Sequence, residues 1–109
     1  MVIHQTEVFR LWLESLDDAK TRAIILARID RMGLGHFGDI EPVGSGISEL
    51  RIHYGAGYRL YIVQRGRSVI ILLCGGSKST QKRDIIKARA LRDAIELPDL
   101  NEKDPSSWH

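Results

Sequence analysis

Cysteine is almost missing from this 109-residue chain: Cys74 is alone, so no internal disulfide can form. It ends an apolar run, the setting of a buried structural thiol rather than a reactive one. Long hydrophobic stretches are missing too. The longest, residues 69–74, falls far short of the ~18–20 residues a membrane span needs. The opening residues, MVIHQTEVF, carry neither the basic start nor the apolar stretch of a secretory signal. A soluble, cytoplasmic protein is expected. No internal repeat or low-complexity segment is visible. The histidines, at 4, 36, 53 and 109, match no metal-ligand spacing, and no Ser-His-Asp order is readable. No metal and no cofactor is expected.

Acid is scarce in one region. Residues 51–92 hold 10 Lys/Arg against 1 acidic residue, a net of +9. Residues 1–50 are at −3 and residues 93–109 at −4, so the overall charge of +2 conceals the asymmetry. A charged run is ordinarily a solvated face. At this density it implies a polyanionic partner, with nucleic acid first among them.

The length suits one domain, expected over 1–97, followed by an acidic tail over 98–109. A domain of this size has little room for a deep pocket, so a site should lie on an open surface. A short strand is possible at 2–4. Thr6 then offers a helix N-cap, with Glu7 in the first turn. Phe9, Trp12, Leu13 and Leu16 follow at helical spacing over 6–16. A second helix is expected over 18–32, with Arg22, Ile25, Leu26, Ile29 and Met32 along one side, ended by Gly33 and Gly35. The short link makes the pair an antiparallel αα-hairpin. Residues 33–46, with five glycines and a proline, read as loop with a short strand near 40–43.

From Ile47 the period becomes two. Leu50, Ile52 and Tyr54 alternate with Glu49, Arg51 and His53; beyond Gly55-Ala56-Gly57, Tyr58, Leu60 and Ile62 alternate with Arg59, Tyr61 and Val63. This is a β-hairpin signal. A loop at 55–57 would place His53 opposite Arg59 and Arg51 opposite Tyr61. One face would be apolar and the other would bear Arg51, His53, Arg59 and Tyr61. The continuous apolar run 69–74 suits a central strand covered on both faces. Gly75-Gly76 is expected to break it, with Ser79 or Thr80 capping a last helix to about 95. Ile85, Ala88, Leu91 and Ile95 would turn inward, and Lys82, Arg83, Lys87, Arg89 and Arg92 would form a basic outer surface. Trp108, in the tail, would pack back or meet a partner.

The polar hairpin face suits an RNA phosphodiester. Arginine supplies fixed charge and forked donors for phosphate oxygens, histidine moves protons near neutrality, and tyrosine stacks on a base. An ordinary solvated sheet face is the plainer alternative. The run C-G-G-S-K-S-T-Q-K suggests an anion site where a helix begins, or simply a capped strand-to-helix turn. It lacks the spacing of a nucleotide P-loop.

In order and spacing, G-S-G-I-S-E-L-R-I-H-Y-G-A-G-Y-R-L-Y, then I-I-L-L-C-G-G-S-K-S-T-Q-K-R-D-I, then A-R-A-L, the chain resembles the RelE/ParE toxins. Within them it is similar to the HigB-like addiction module killer branch. The resemblance implies an α+β fold: a small antiparallel sheet of three to four strands, the αα-hairpin and a C-terminal helix. It implies a metal-independent endoribonuclease that cuts mRNA in the ribosomal A site, and a cognate antitoxin, commonly a helix-turn-helix DNA-binding protein. By position it implies catalytic roles for Arg51, Arg59 and Lys78, with Gln81 and Lys82 against RNA or ribosome. Arg83 is expected beside them, as are His53 and Tyr61 from the hairpin geometry. Many relatives carry an acidic residue where this chain has Ser77. The alternatives are a ParE-like gyrase inhibitor and an inactive toxin kept as a binding module.

Overall fold

The computed structural model describes residues 1–95, so the tail and Trp108 lie outside the described residues. Nine elements run in the order β1 (Val2–Gln5), α1 (Glu7–Ser15), α2 (Ala19–Gly33), β2 (Ile40–Gly44), β3 (Ile47–Ile52), β4 (Tyr58–Arg65), β5 (Val69–Ser77), a 3-10 turn (Lys78–Thr80) and α3 (Gln81–Ile95). The class is α+β, as expected, but the sheet has five strands rather than three to four. Its order is β1-β5-β4-β3-β2, antiparallel throughout except that β1 joins β5 in parallel. The two short segments near 2–4 and 40–43 supply the edge strands.

Caps act where the sequence offers them. Thr6 Oγ1 accepts from Phe9 N–H at 3.0 Å and donates to the Leu73 carbonyl, tying the start of α1 to β5. Asp18 Oδ1 accepts from Lys20 N–H at 3.2 Å at the head of α2. Two cores form, one on each side of the sheet. Phe9, Ile25 and Met32 from α1 and α2 pack with Leu50, Ile52, Leu60, Ile62, Ile70 and Leu72. On the other side Ala88 of α3, flanked by Ile85, Leu91 and Ile95, covers Ile47, Tyr61, Val63, Ile71, Leu73 and Cys74. The alternation of β3 and β4 therefore sorts as expected. However, α3 covers much of the face expected to meet solvent. The buried line of α2 is Thr21, Ile25, Arg28 and Met32, whereas Leu26 is exposed.

The glycine pair 75–76 does not end β5. The strand continues through it to Ser77, pairing Gly75 with Leu60 and Gly76 with Arg59. A bulge between the Tyr61 and Ile62 pairs leaves Leu73 as the extra residue of β5, beyond which Gly75 faces α1 and Gly76 faces α3. A Cβ on Gly75 would stand 2.4 Å from the Trp12 ring; one on Gly76 would stand 1.8 Å from Asp84 Oδ2. Glycine is required because both faces are closely covered. Gly75→Ala and Gly76→Ala are each expected to cost about 1–3 kcal/mol through overpacking, read as a lowered thermal midpoint. An unchanged midpoint for both would contradict this packing. Cys74 is buried, and burial pushes its thiol up to about 12, in keeping with a structural role.

Candidate functional site

The hairpin loop is longer than its glycines suggest. Ile52 pairs with Tyr58, leaving residues 53–57 as the loop. Tyr54 N–H bonds the Ile52 carbonyl at 2.9 Å and Gly57 N–H the Tyr54 carbonyl at 3.1 Å, while Gly55 and Gly57 take positive φ. The register is displaced accordingly. Arg51 stands opposite Arg59, and Glu49 opposite Tyr61. Face assignment survives because the displacement is even.

Two arginines directly opposed repel one another. What holds them is a residue the sequence reading did not single out, Glu49, whose side chain is 0% exposed. Its Oε1 accepts from Arg51 Nε at 3.0 Å. Its Oε2 accepts from Gln81 Nε2 at 2.8 Å and from the Tyr61 hydroxyl at 3.1 Å, and lies 3.5 Å from Arg59 Nε. Burial alone would raise its pKa, but hydrogen bonds from Gln81, Arg51 and Tyr61 and the Arg59 charge hold it below the usual carboxylate range. Burial, with the Glu49 charge, pushes the Tyr61 hydroxyl well above its ordinary value, so it remains a donor. An acid sharing the parity of Arg51 in the run S-E-L-R-I-H was the available signal.

Arg51 Nη2 also pairs with Glu41 of β2. Arg59 is more enclosed, its side chain 12% exposed, and its Nε and Nη1 are buried without a hydrogen bond. Both arginines line a small cleft of about 120 Å³ with Ile52, His53, Gly57, Tyr58 and Lys78. Lys78 is brought there by its N–H bond to the Ala56 carbonyl at 3.3 Å, which joins the turn after β5 to the hairpin loop. The start of that turn is held by Ser77 N–H on Thr80 Oγ1 at 3.1 Å. A wider groove of about 570 Å³ adjoins it, sharing Arg51, Ile52 and His53 and adding Arg28, Arg31, His36, Asp39 and Tyr54.

Of the expected site residues, Arg51, His53, Arg59 and Lys78 thus come together. Tyr61 does not: it is fully buried beneath α3 and serves Glu49, so it has no face to offer a base. Gln81 also turns inward to Glu49. Lys82 and Arg83 are exposed in the first turn of α3 and do not line the cleft. Arg28, absent from the sequence reading, is buried and donates to the carbonyls of Arg51 at 2.7 Å, Phe37 at 2.9 Å and Asp39 at 3.2 Å, fastening the loop before β2 to β3.

The arrangement offers an anion two fixed guanidiniums and an ammonium beside a histidine. Among the described residues, no group of three or more His, Cys, Asp or Glu side chains is placed to hold a metal ion. Among them, too, no helix is long and apolar enough to cross a membrane. The chain is 46% identical over 95 residues to an uncharacterized protein of Haemophilus influenzae, spanning 87% of this chain and 96% of that relative. The model of the family described as phage derived protein Gp49-like (DUF891) matches residues 11–93, from within α1 to near the end of α3. The chain belongs to this Gp49-like family, one of the families of RelE/ParE-like toxins.

Proposed function

We propose that this protein is the toxin of a type II toxin–antitoxin pair, of the HigB-like branch, and that it acts in the cytoplasm as a ribosome-dependent, metal-independent mRNA endoribonuclease. The observation that carries this reading is the opposition of Arg51 and Arg59 across β3 and β4, at a cleft that also holds His53 and Lys78. Cleavage of an RNA chain places extra negative charge on the phosphate in the transition state, and preorganised forked donors stabilise it. Arg59 lines the cleft with a side chain only 12% exposed, so its guanidinium is held in place before an anion arrives. Lys78 adds charge to the same cleft, and the exposed Lys82 and Arg83 extend the cationic surface for ribosomal RNA.

The test is to add purified protein to translating ribosomes and map the new ends in the message. Cuts confined to translated codons are expected, with naked RNA cut far more slowly. Intact messages and normal translation would overturn the reading. Inhibited gyrase supercoiling alongside intact messages would favour the ParE-like alternative.

The partner proposed is a helix-turn-helix antitoxin that covers the basic surface with acidic residues. Its affinity is expected to weaken as salt is raised, because exposed charges more than ~8–10 Å apart are screened at physiological ionic strength. Titration calorimetry at low and high salt measures this. An affinity independent of salt would argue for an apolar interface instead.

A further inference from the structure

Proton transfer needs a group that can both take and hold a proton in the cleft, and the arginines are unsuited to it because they stay charged. His53 is free of the sheet ladder, its side chain 75% exposed, and it lines both the small cleft and the wider groove. Its Nε2 stands 2.6 Å from Asp39 Oδ2. Asp39 is fixed in place by its backbone. Its carbonyl accepts from Arg51 N–H at 2.9 Å and from Arg28 Nη2 at 3.2 Å. The preceding Gly38 takes φ +67, and a Cβ there would stand 2.7 Å from the Arg28 guanidinium. The buried arginine, the bare glycine and the β3 amide together hold the carboxylate where it meets the imidazole.

We infer that His53, oriented by Asp39, is the general base of the cleavage proposed above, taking the proton of the ribose 2′-hydroxyl next to the phosphate gripped by Arg51 and Arg59. The inference rests on that proposed reaction. Asp39 accepts the Nε2–H, which leaves the Nδ1 lone pair for the hydroxyl. As Nδ1 takes the proton, the 2′-oxygen attacks phosphorus and the new P–O2′ bond forms. The P–O5′ bond breaks, and the 5′-oxygen takes a proton from the Lys78 ammonium. The upstream fragment then ends in a 2′,3′-cyclic phosphate and the downstream fragment begins with a 5′-hydroxyl. No oxidant, water or metal enters this balance. Asp39 is a positioning residue, since it acts through the imidazole.

The charged and titratable groups around His53 come from every neighbouring element. They are Arg51 from β3, Arg59 and Tyr58 from β4, Lys78 from the 3-10 turn, Arg28 and Arg31 from α2, His36 and Asp39 from the loop before β2, and Tyr54 from its own loop. The His53 hydrogen bond, foremost, holds the Asp39 carboxyl below the usual range, so it is an anion at neutral pH.

The experiment measures single-turnover cleavage by ribosome-bound protein from about pH 5 to about pH 9, with end-group analysis of the fragments. For His53→Ala and His53→Gln the rate constant is expected to fall by about 100-fold, with ribosome affinity unchanged. In both variants the dependence of the rate on pH should differ from that of the unaltered protein. Asp39→Asn should lower the rate by about 10-fold, because an amide no longer fixes the ring tautomer, and Asp39→Glu should recover much of it. A purely structural role would lower the melting midpoint together with the rate and would show no recovery by the glutamate. His53→Ala cleaving like the unaltered protein, while Arg59→Ala is inactive, overturns the inference and leaves the proposed function standing. Fragments with 5′-phosphates also overturn it. An unaltered protein that cuts no message overturns both.

Discussion

Arg59→Ala is expected to abolish growth arrest and to lower mRNA cleavage by about 10²–10³-fold, the usual cost of removing a preorganised donor to a transition-state anion. The protein should still fold. Arg59 is enclosed, but the alanine keeps the Cβ on β4, and the loss relieves the opposition to Arg51. Glu49 retains Arg51, Gln81 and Tyr61 as donors, so its carboxylate is not abandoned in the interior. The cost to stability should therefore be about 1–2 kcal/mol, mostly lost packing of the arginine stem. Arg59→Lys should fall between, because an ammonium keeps the charge without the fork. Plating of cells expressing each variant, cleavage on ribosomes and thermal melts separate these effects. An alanine variant with full toxicity would remove Arg59 from the site.

The largest effect on stability is expected at Glu49. Glu49→Ala leaves two guanidiniums face to face and strips the Tyr61 hydroxyl and Gln81 amide of their acceptor. Breaking such a buried arrangement costs about 3–5 kcal/mol, which lowers the melting midpoint of a domain this size by more than about 12 °C. Glu49→Gln keeps the shape and loses the charge, and should cost less. The same carboxylate makes stability depend on acid. Its folded pKa is depressed, so its contribution is fully present above the ordinary glutamate range and is lost as pH falls through the lower folded value. Melts across the acidic range should show this loss in the unaltered protein and a weaker one in Glu49→Gln. Equal acid sensitivity would mean that another carboxylate governs the transition.

Periodicity made much of this fold legible. The spacing of Phe9, Trp12 and Leu13 marks α1, and the alternation of Leu50, Ile52, Leu60 and Ile62 marks the core side of the hairpin. The unbroken run at 69–74 lies within a strand buried on both faces. What periodicity does not carry is register and occlusion. Loop glycines at 55 and 57 fit both a three-residue and a five-residue turn, and only the ladder decides between them. Tyr61 reads as outward because its parity is that of Arg51, yet α3 returns over that half of the sheet. Gly75 and Gly76 read as a break because a close approach from both faces leaves no local trace. Arg28 lies at helical spacing from Thr21, Ile25 and Met32, but a charged residue there reads as surface until three carbonyls are found around its guanidinium. Arg51, His53, Arg59 and Lys78, expected from the hairpin alternation and the family resemblance, line one cleft. The acids that organise them, Glu49 and Asp39, reach them through strand pairing and a loop crossing, neither of which is local.

The parallel junction of β1 with β5 bears on how quickly the molecule matures. Thr6 and Leu73 are bonded across 67 residues of sequence, whereas β2 through β5 form successive antiparallel neighbours. Contacts of long sequence separation form slowly, because the chain entropy between them is lost before they repay it. The meander can assemble early, and the amino-terminal segment docks only once the last strand exists. The Met1 nitrogen, bonded to the Gly33 carbonyl at 2.8 Å, also ties this segment to the end of α2. The order in which the sheet can close is thus a property of chain topology.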